Sequence, residues 1–209
     1  MPAAQGLYNP DLEKDACGVG FLCHIKGKAN HKIVSDARWL LCNMTHRGAT
    51  GADARDGDGA GVMTGIPDAF LRREVRSDHD FELPPVGEYA CGNVFFTSKD
   101  EKARAEHIKL FEQIAQKLHL RVLGWREVPV DSSILGPASR SREPKTLQPF
   151  VVLGDYYGWN SKKSEGSGTF DESYFGRQLY VLRKHATHRI GLQNWFYICS
   201  LSPSNIVYK

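Results

Sequence analysis

The run THRGATGADARDGDGAG, residues 45–61, limits what this chain can fold into more than any other segment. Glycines at 48, 51, 57, 59 and 61 open the backbone to tight turns, and Asp53, Asp56 and Asp58 favour turns by bonding to nearby main chain. No helix or strand of useful length survives there, so the segment must be a set of turns between regular elements. The element before it is legible. From Ile33 to Met44 the apolar residues Ile33, Val34, Ala37, Leu40, Leu41 and Met44 recur at the helical period, which predicts a helix lying with one stripe on an apolar surface.

Further elements follow from the same reasoning. Gly18–Ile25 (GVGFLCHI) is apolar and predicts a buried strand. Gly61–Ile66 predicts a short strand, and Pro67 opens a helix through Val75. After the Pro84–Pro85 loop, Tyr89–Thr97 is strand-like, and Ser98 with Glu101 forms a capping box for a helix to about Leu118. Arg121–Val130 and Leu147–Gly154 predict two strands around a breaker-rich segment. Residues 158–169, GWNSKKSEGSGT, form a polar surface insertion. Asp171 caps a helix with the stripe Phe175, Leu179, Leu182 and Ala186. Asn194–Leu201 is a buried strand, and Asn205–Lys209 starts a strand that ends without a partner, so the chain is expected to be cut and its open edge sticky.

Composition removes several classes of function. At 209 residues roughly 70% of the unfolded surface can be buried, so neither disulfides nor a structural metal are required. Lys and Arg number 27 against 24 Asp and Glu, and a net charge of +3 without clustering suggests no nucleic-acid or anionic-membrane partner. No apolar run approaches the roughly 18 residues a membrane span needs. Residues 1–16 lack the pattern of a secretory or organellar targeting peptide, which makes the cytoplasm the default compartment, with an organelle still open. Five cysteines, an odd number and widely spaced, give no complete disulfide framework.

Most chemical motifs fail on spacing. Cys17, Cys23 and His24, or Cys42 with His46, match no zinc pattern. If Asp56, Asp58 and Gly59 are set at positions three, five and six of a calcium loop, Ala54 and Gly65 fall where the first ligand and the bidentate Glu belong. GDGAG has the glycine density of a phosphate cradle without the Lys and Ser or Thr of a P-loop, and no G-x-S-x-G is present. Cys17 remains. It is a small buried thiol if internal. If residues 1–16 are removed, it supplies both a thiol nucleophile and an α-amine of pKa about 8 that can act as base.

DACGVGF (15–21) and NMTHRGATGADARDGDGAG (43–61) together resemble the N-terminal class II glutamine amidotransferase domain of the glutamate synthases, in their eukaryotic or NADH-dependent form. RQLYVLRKHATHRI (177–190) and YICSLSPSNIVYK (197–209) continue the likeness more loosely. The resemblance implies an α+β protein with the four-layer αββα N-terminal-nucleophile (Ntn) hydrolase fold, incomplete at the C-terminus. Residues 1–16 would be a propeptide and 17–209 the N-terminal portion of the amidotransferase domain. Cys17 matches the catalytic N-terminal cysteine, Arg47 and Gly48 match a turn lining the glutamine pocket, with a structural ion pair as the alternative role for Arg47, and Gly57–Gly61 match a turn read as packing support for the pocket.

The implied substrate is L-glutamine, hydrolysed through a Cys17 thioester to glutamate and ammonia, the ammonia then serving glutamate synthesis from 2-oxoglutarate. The implied partners are the remaining domains of an oligomeric enzyme. FMN, an iron–sulfur cluster and NAD(P)H belong to those domains, and this chain carries no cofactor motif of its own. In the family, a substrate-clamping arginine and an Asn-Gly oxyanion pair follow the IVYK strand. No Asn-Gly dipeptide occurs in this sequence, so the 209-residue form is expected to be nearly inactive alone. The alternative is a truncated product acting only as an interaction fragment.

Overall fold

A computed structural model describes Gly6 and residues 18–51, 53, 55–78, 81–97, 99–154, 170–191 and 196–209. Cys17 and the expected 158–169 insertion lie outside the described residues. The chain divides into two compact units, Met1–Ala60 with Ile134–Gly136, and Gly61–Ser133 with Pro137–Lys209.

In the first unit, helix α1 (His31–Asn43) forms where the apolar period requires it, capped by Asn30, whose side chain accepts from Lys32 N at 2.8 Å. The apolar surface expected under its stripe is incomplete: Ile33, Ala37, Leu40 and Leu41 are half-buried and Val34 is exposed. A single 3₁₀ turn, Thr45–Arg47, follows. Gly18–Ile25 is a correction: it is neither a strand nor buried, and Val19, Phe21 and Ile25 are 92%, 88% and 99% exposed. The reason lies in its glycines. A Cβ built on Gly18 would stand 2.9 Å from Met44 Sδ, and one on Gly20 would stand 2.6 Å from Leu40 Cδ1. The segment therefore lies along α1 by close backbone approach instead of joining a ladder.

The second unit holds two antiparallel sheets. Strand β1 (Val62–Gly65) is followed by α2 (Asp68–Asp78), β2 (Tyr89–Cys91), β3 (Val94–Phe96), α3 (Glu101–Lys117) and β4 (Leu120–Glu127). One-turn α4 (Pro137–Arg140), β5 (Lys145–Leu153), α5 (Glu172–Ile190), β6 (Tyr197–Ile198) and β7 (Asn205–Tyr208) complete it. The larger sheet has β5 at its centre, β4 on one side, β2 and β3 on the other, and β6 beyond β3. The expected single strand Tyr89–Thr97 is thus two. Both halves keep one register on β5, but between them the Asn93 carbonyl turns away to accept from Cys199 N at 2.9 Å and Ser200 N at 3.3 Å.

Alternation along β5 separates two cores. Leu147, Val151 and Leu153 face α3 and α5 with Phe111, Ile114, Phe175 and Leu182. Phe150 and Val152 face the other way, onto Leu71 and Val75 of α2 and Ile206 of β7. Asp171 caps α5 as expected, accepting from Tyr174 N at 2.8 Å. The cap of α3 is Asp100, whose carboxylate accepts from Ala103 N at 2.9 Å, and the helix begins at Glu101; the expected cap Ser98 lies outside the described residues. A second correction concerns β7, which has a partner after all and pairs antiparallel with β1 from Val62↔Tyr208 to Gly65↔Asn205. No helix among the described residues is long and apolar enough to cross a membrane.

Candidate active site

The turn after α1 carries two of the three candidate residues. Arg47 N donates to Met44 O at 2.8 Å and Gly48 N to Thr45 O at 3.1 Å, so the helix tightens by one 3₁₀ step before the chain leaves it extended at Gly48 (φ −99°, ψ 160°). Arg47 and Gly48 are both exposed. Gly18 reaches the same turn, since its Cβ position lies 3.5 Å from both Cβ and Cγ of Arg47. Thus the residue following Cys17 in the sequence passes the base of the Arg47 side chain.

The glycine and aspartate run folds back on this turn as a small hairpin. Thr50 and Gly57 form an antiparallel bridge, Gly51 N donates to Asp56 O at 2.7 Å, and Asp58 N donates to Ala49 O at 3.0 Å. The Asp58 carboxylate completes the brace by accepting from Ala49 N at 2.9 Å, one residue past Gly48. A Cβ on Gly57 would stand 3.0 Å from Ala49 O, a tight approach to a backbone atom of the ladder. Reading the run as turns is therefore right, but it hides an ordered ladder whose rungs are backbone bonds.

At the hairpin tip the Arg55 guanidinium donates twice to Asp53, at 3.0 and 2.7 Å, and this pairing holds the Asp53 carboxyl down to about 2. Asp56 Oδ1 accepts from Gly136 N at 3.2 Å, tying the 134–136 segment to the same unit. The sequence offered Gly57–Gly61 as a turn supporting the pocket, but not the bond by which the Asp58 carboxylate holds Ala49 N beside the Arg47–Gly48 turn. The Asp-Gly pairs signalled turns, but nothing in one sequence says which backbone group a turn aspartate will take.

Among the described residues, no three His, Cys, Asp or Glu side chains converge as a metal site would require. Cys23 and Cys42 are exposed, Cys91 is buried and Cys199 half-buried, each as a free thiol.

Residues 17–209 match the family model described as glutamine amidotransferases class-II. Over the whole chain, identity is 58% to a glutamate synthase [NADH] of Schizosaccharomyces pombe and 51% to that of Saccharomyces cerevisiae. It is 38% to the large chain of a glutamate synthase [NADPH] of Bacillus subtilis. The chain spans 10% of the length of each of the two yeast relatives and 13% of the bacterial one.

Proposed function

We propose, since this chain belongs to the class II glutamine amidotransferases, that it is the glutamine-hydrolysing portion of a glutamate synthase and that Cys17 is its nucleophile. The observation that carries the reading is the start of the family match at residue 17. It supports taking residues 1–16 as a leader whose removal frees the Cys17 α-amine. The passage of Gly18 against Arg47 supports a pocket shared by Cys17, Arg47 and Gly48.

In the proposed reaction the Cys17 thiol gives its proton to the α-amine as its sulfur attacks the side-chain amide carbon of glutamine. The resulting tetrahedral oxyanion collapses to a thioester as the C–N bond breaks, and the ammonium proton passes to the leaving nitrogen, releasing ammonia. Water, deprotonated by the same amine, then attacks the thioester, so that glutamate leaves and the thiol is restored. Arg47 and Gly48 belong, in this reading, to the turn that lines the glutamine pocket. The ammonia is used for glutamate synthesis from 2-oxoglutarate elsewhere in the longer polypeptide, and the FMN, cluster and nicotinamide sites belong there too.

The test is ammonia release from glutamine by the full polypeptide that contains this chain, together with intact mass. The expected result is a mature start at Cys17 and loss of turnover in Cys17→Ala. Turnover unchanged by that substitution ends the proposal. The 209 residues alone are expected to turn over at least about a hundredfold more slowly than the full polypeptide, the rate factor attached to one missing oxyanion donor.

A further inference from the structure

The core between the larger sheet and α2 with β7 carries a connected group of buried polar side chains. Asn93, Arg126, Gln148 and Ser200 are 2%, 6%, 0% and 4% exposed. Glu74 of α2 accepts from Arg126 Nη2 at 3.2 Å, and Arg126 Nη1 donates to Gln148 Oε1 at 3.1 Å. Gln148 Nε2 donates to Asn93 Oδ1 at 3.0 Å, and Asn93 Nδ2 donates to Val207 O at 2.6 Å.

The chain of bonds has one possible direction. An arginine can only donate and a backbone carbonyl can only accept, so both amides between them are fixed in orientation, and flipping either would set N–H against N–H or O against O. Its far end lands on a specific strand edge. In the β1–β7 ladder Val207 faces Met63, and the main-chain groups of Val207 are taken elsewhere: its carbonyl by Asn93, its N–H by Ser200 Oγ at 3.1 Å. Ser200 Oγ also accepts from Asn93 N at 3.3 Å. Two side chains therefore occupy the place of a neighbouring strand at this point of β7. A slip of β7 by one residue would turn these groups toward β1 and leave both sides unmatched.

We infer that Asn93 is a positioning residue which, with Ser200 and the one-way relay from Glu74, locks β7 and its partner β1 in register and so fixes where the Gly57–Gly61 turn ends. The link to that turn is direct. β1 starts one residue after Gly61, and a Cβ on Gly61 would stand 2.8 Å from Tyr208 O, so the last glycine of the run is held against the end of β7. That the register matters for glutamine hydrolysis rests on the reading under Proposed function; the register claim itself does not.

Hydrogen exchange of the full chain tests it. Asn93→Asp keeps the shape but removes the donor to Val207 O and sets a carboxylate oxygen against it. Exchange at Val62 and Thr64 of β1, which Asn93 does not touch, is expected to rise at least roughly tenfold, with Leu182 and Ala186 of α5 changed less than about twofold. Equal acceleration in α5 and β1, or none in β1, overturns the lock. If Asn93→Asp does not fold, Ser200→Ala against Ser200→Thr decides, because only the hydroxyl-bearing variant should keep β1 protected. In the full polypeptide, Asn93→Asp should also slow labelling of Cys17 by a diazoketone analogue of glutamine. Labelling at the wild-type rate with β1 exchange raised overturns the positioning role. A wild-type Cys17 that does not label at all defeats the glutamine reading, and the exchange result then still decides the lock.

Discussion

The two units of the chain hold their shape by different means. In the second, Phe111, Phe150, Phe175 and Phe196 are wholly buried, and helices and sheets meet through side-chain packing. In the first, α1 buries no residue, three apolar side chains of the 18–25 segment stand almost fully exposed, and order comes from backbone bonds, a carboxylate brace and glycine contacts. Cys17 and residues 45–60 of the glycine and aspartate run belong to the first unit. Apolar burial depends on volume and pattern, which many sequences satisfy. Turn geometry at a close backbone approach is satisfied by glycine and little else, so the turn-built unit is where residue identity is most constrained.

The widest gap between the units should appear on deleting a phenyl ring from each. Phe150→Ala empties a site at the junction of β5 with α2, beside Phe81 at 5.6 Å and Tyr89 at 6.4 Å between ring centroids, and should cost about 3–5 kcal/mol. Phe21→Ala, on a side chain 88% exposed, should stay within about 0.5 kcal/mol. Denaturant midpoints measure both, and similar losses would mean that the 18–25 segment is packed in solution. Gly92→Ala belongs with the large effects, because its Cβ would overlap Ser200 O and part Cys91 and Asn93 from the 199–202 segment; about 3 kcal/mol is expected.

Thiol reactivity draws the same line. Cys23 and Cys42 are exposed in the first unit, whereas Cys91 is buried in the second, where desolvation pushes its thiol up to about 12. A maleimide at neutral pH should modify the first two in the native protein and reach Cys91 only as fast as the second unit opens. Because the folded pKa of Cys91 lies above the unfolded value of about 8.5, its contribution to stability is complete below that value and falls as pH rises toward 12. Early labelling of Cys91 in native conditions would break the contrast.

How much of this was legible depended on which forces acted. Helices α3 and α5 follow from their stripes, and β5 from the apolar run Phe150–Leu153, since burial leaves a trace in sequence; α1 follows from its period alone, because none of its residues is fully buried. Gly18–Ile25 misled for the same reason: GVGFLCHI has the composition of a core strand, and only the proximity of Leu40 and Met44 to its glycines shows that it lies along a helix. The split at Gly92–Asn93 was invisible because it depends on the return of residues 199–202, more than a hundred positions away. At the candidate site, the resemblance supplied Arg47 and Gly48. The partner of Asp58 was not foreseen because it is the N–H of Ala49, a group every residue but proline carries.

A smaller effect probes the brace itself. Asp58→Ala removes the acceptor of the Ala49 N–H but leaves the Asp58 N to Ala49 O bond, so about 1 kcal/mol of local order should be lost. Exchange at Ala49 and Gly51 should quicken while amides of α5 hold. Asp58→Asn keeps an acceptor oxygen and should recover most of that protection. Equal exchange in all three proteins would mean that the backbone rungs alone hold the hairpin.

The smallest effect lies at the hairpin tip, where an ion pair closes a turn in open solvent. Arg55 depresses the Asp53 carboxyl to about 2, below the ordinary value near 3.9, so the pair favours the folded turn at pH above about 4 and the advantage disappears as pH falls toward 2. Both side chains face water, and salt should weaken the pairing. A carbon-detected NMR titration should place Asp53 near 2 in the native chain, and Arg55→Ala should return it to the usual range without moving the denaturation midpoint of the second unit. If Asp53 titrates near 4 with Arg55 intact, the tip is open in solution, and the order of the first unit ends at the Thr50–Gly57 bridge.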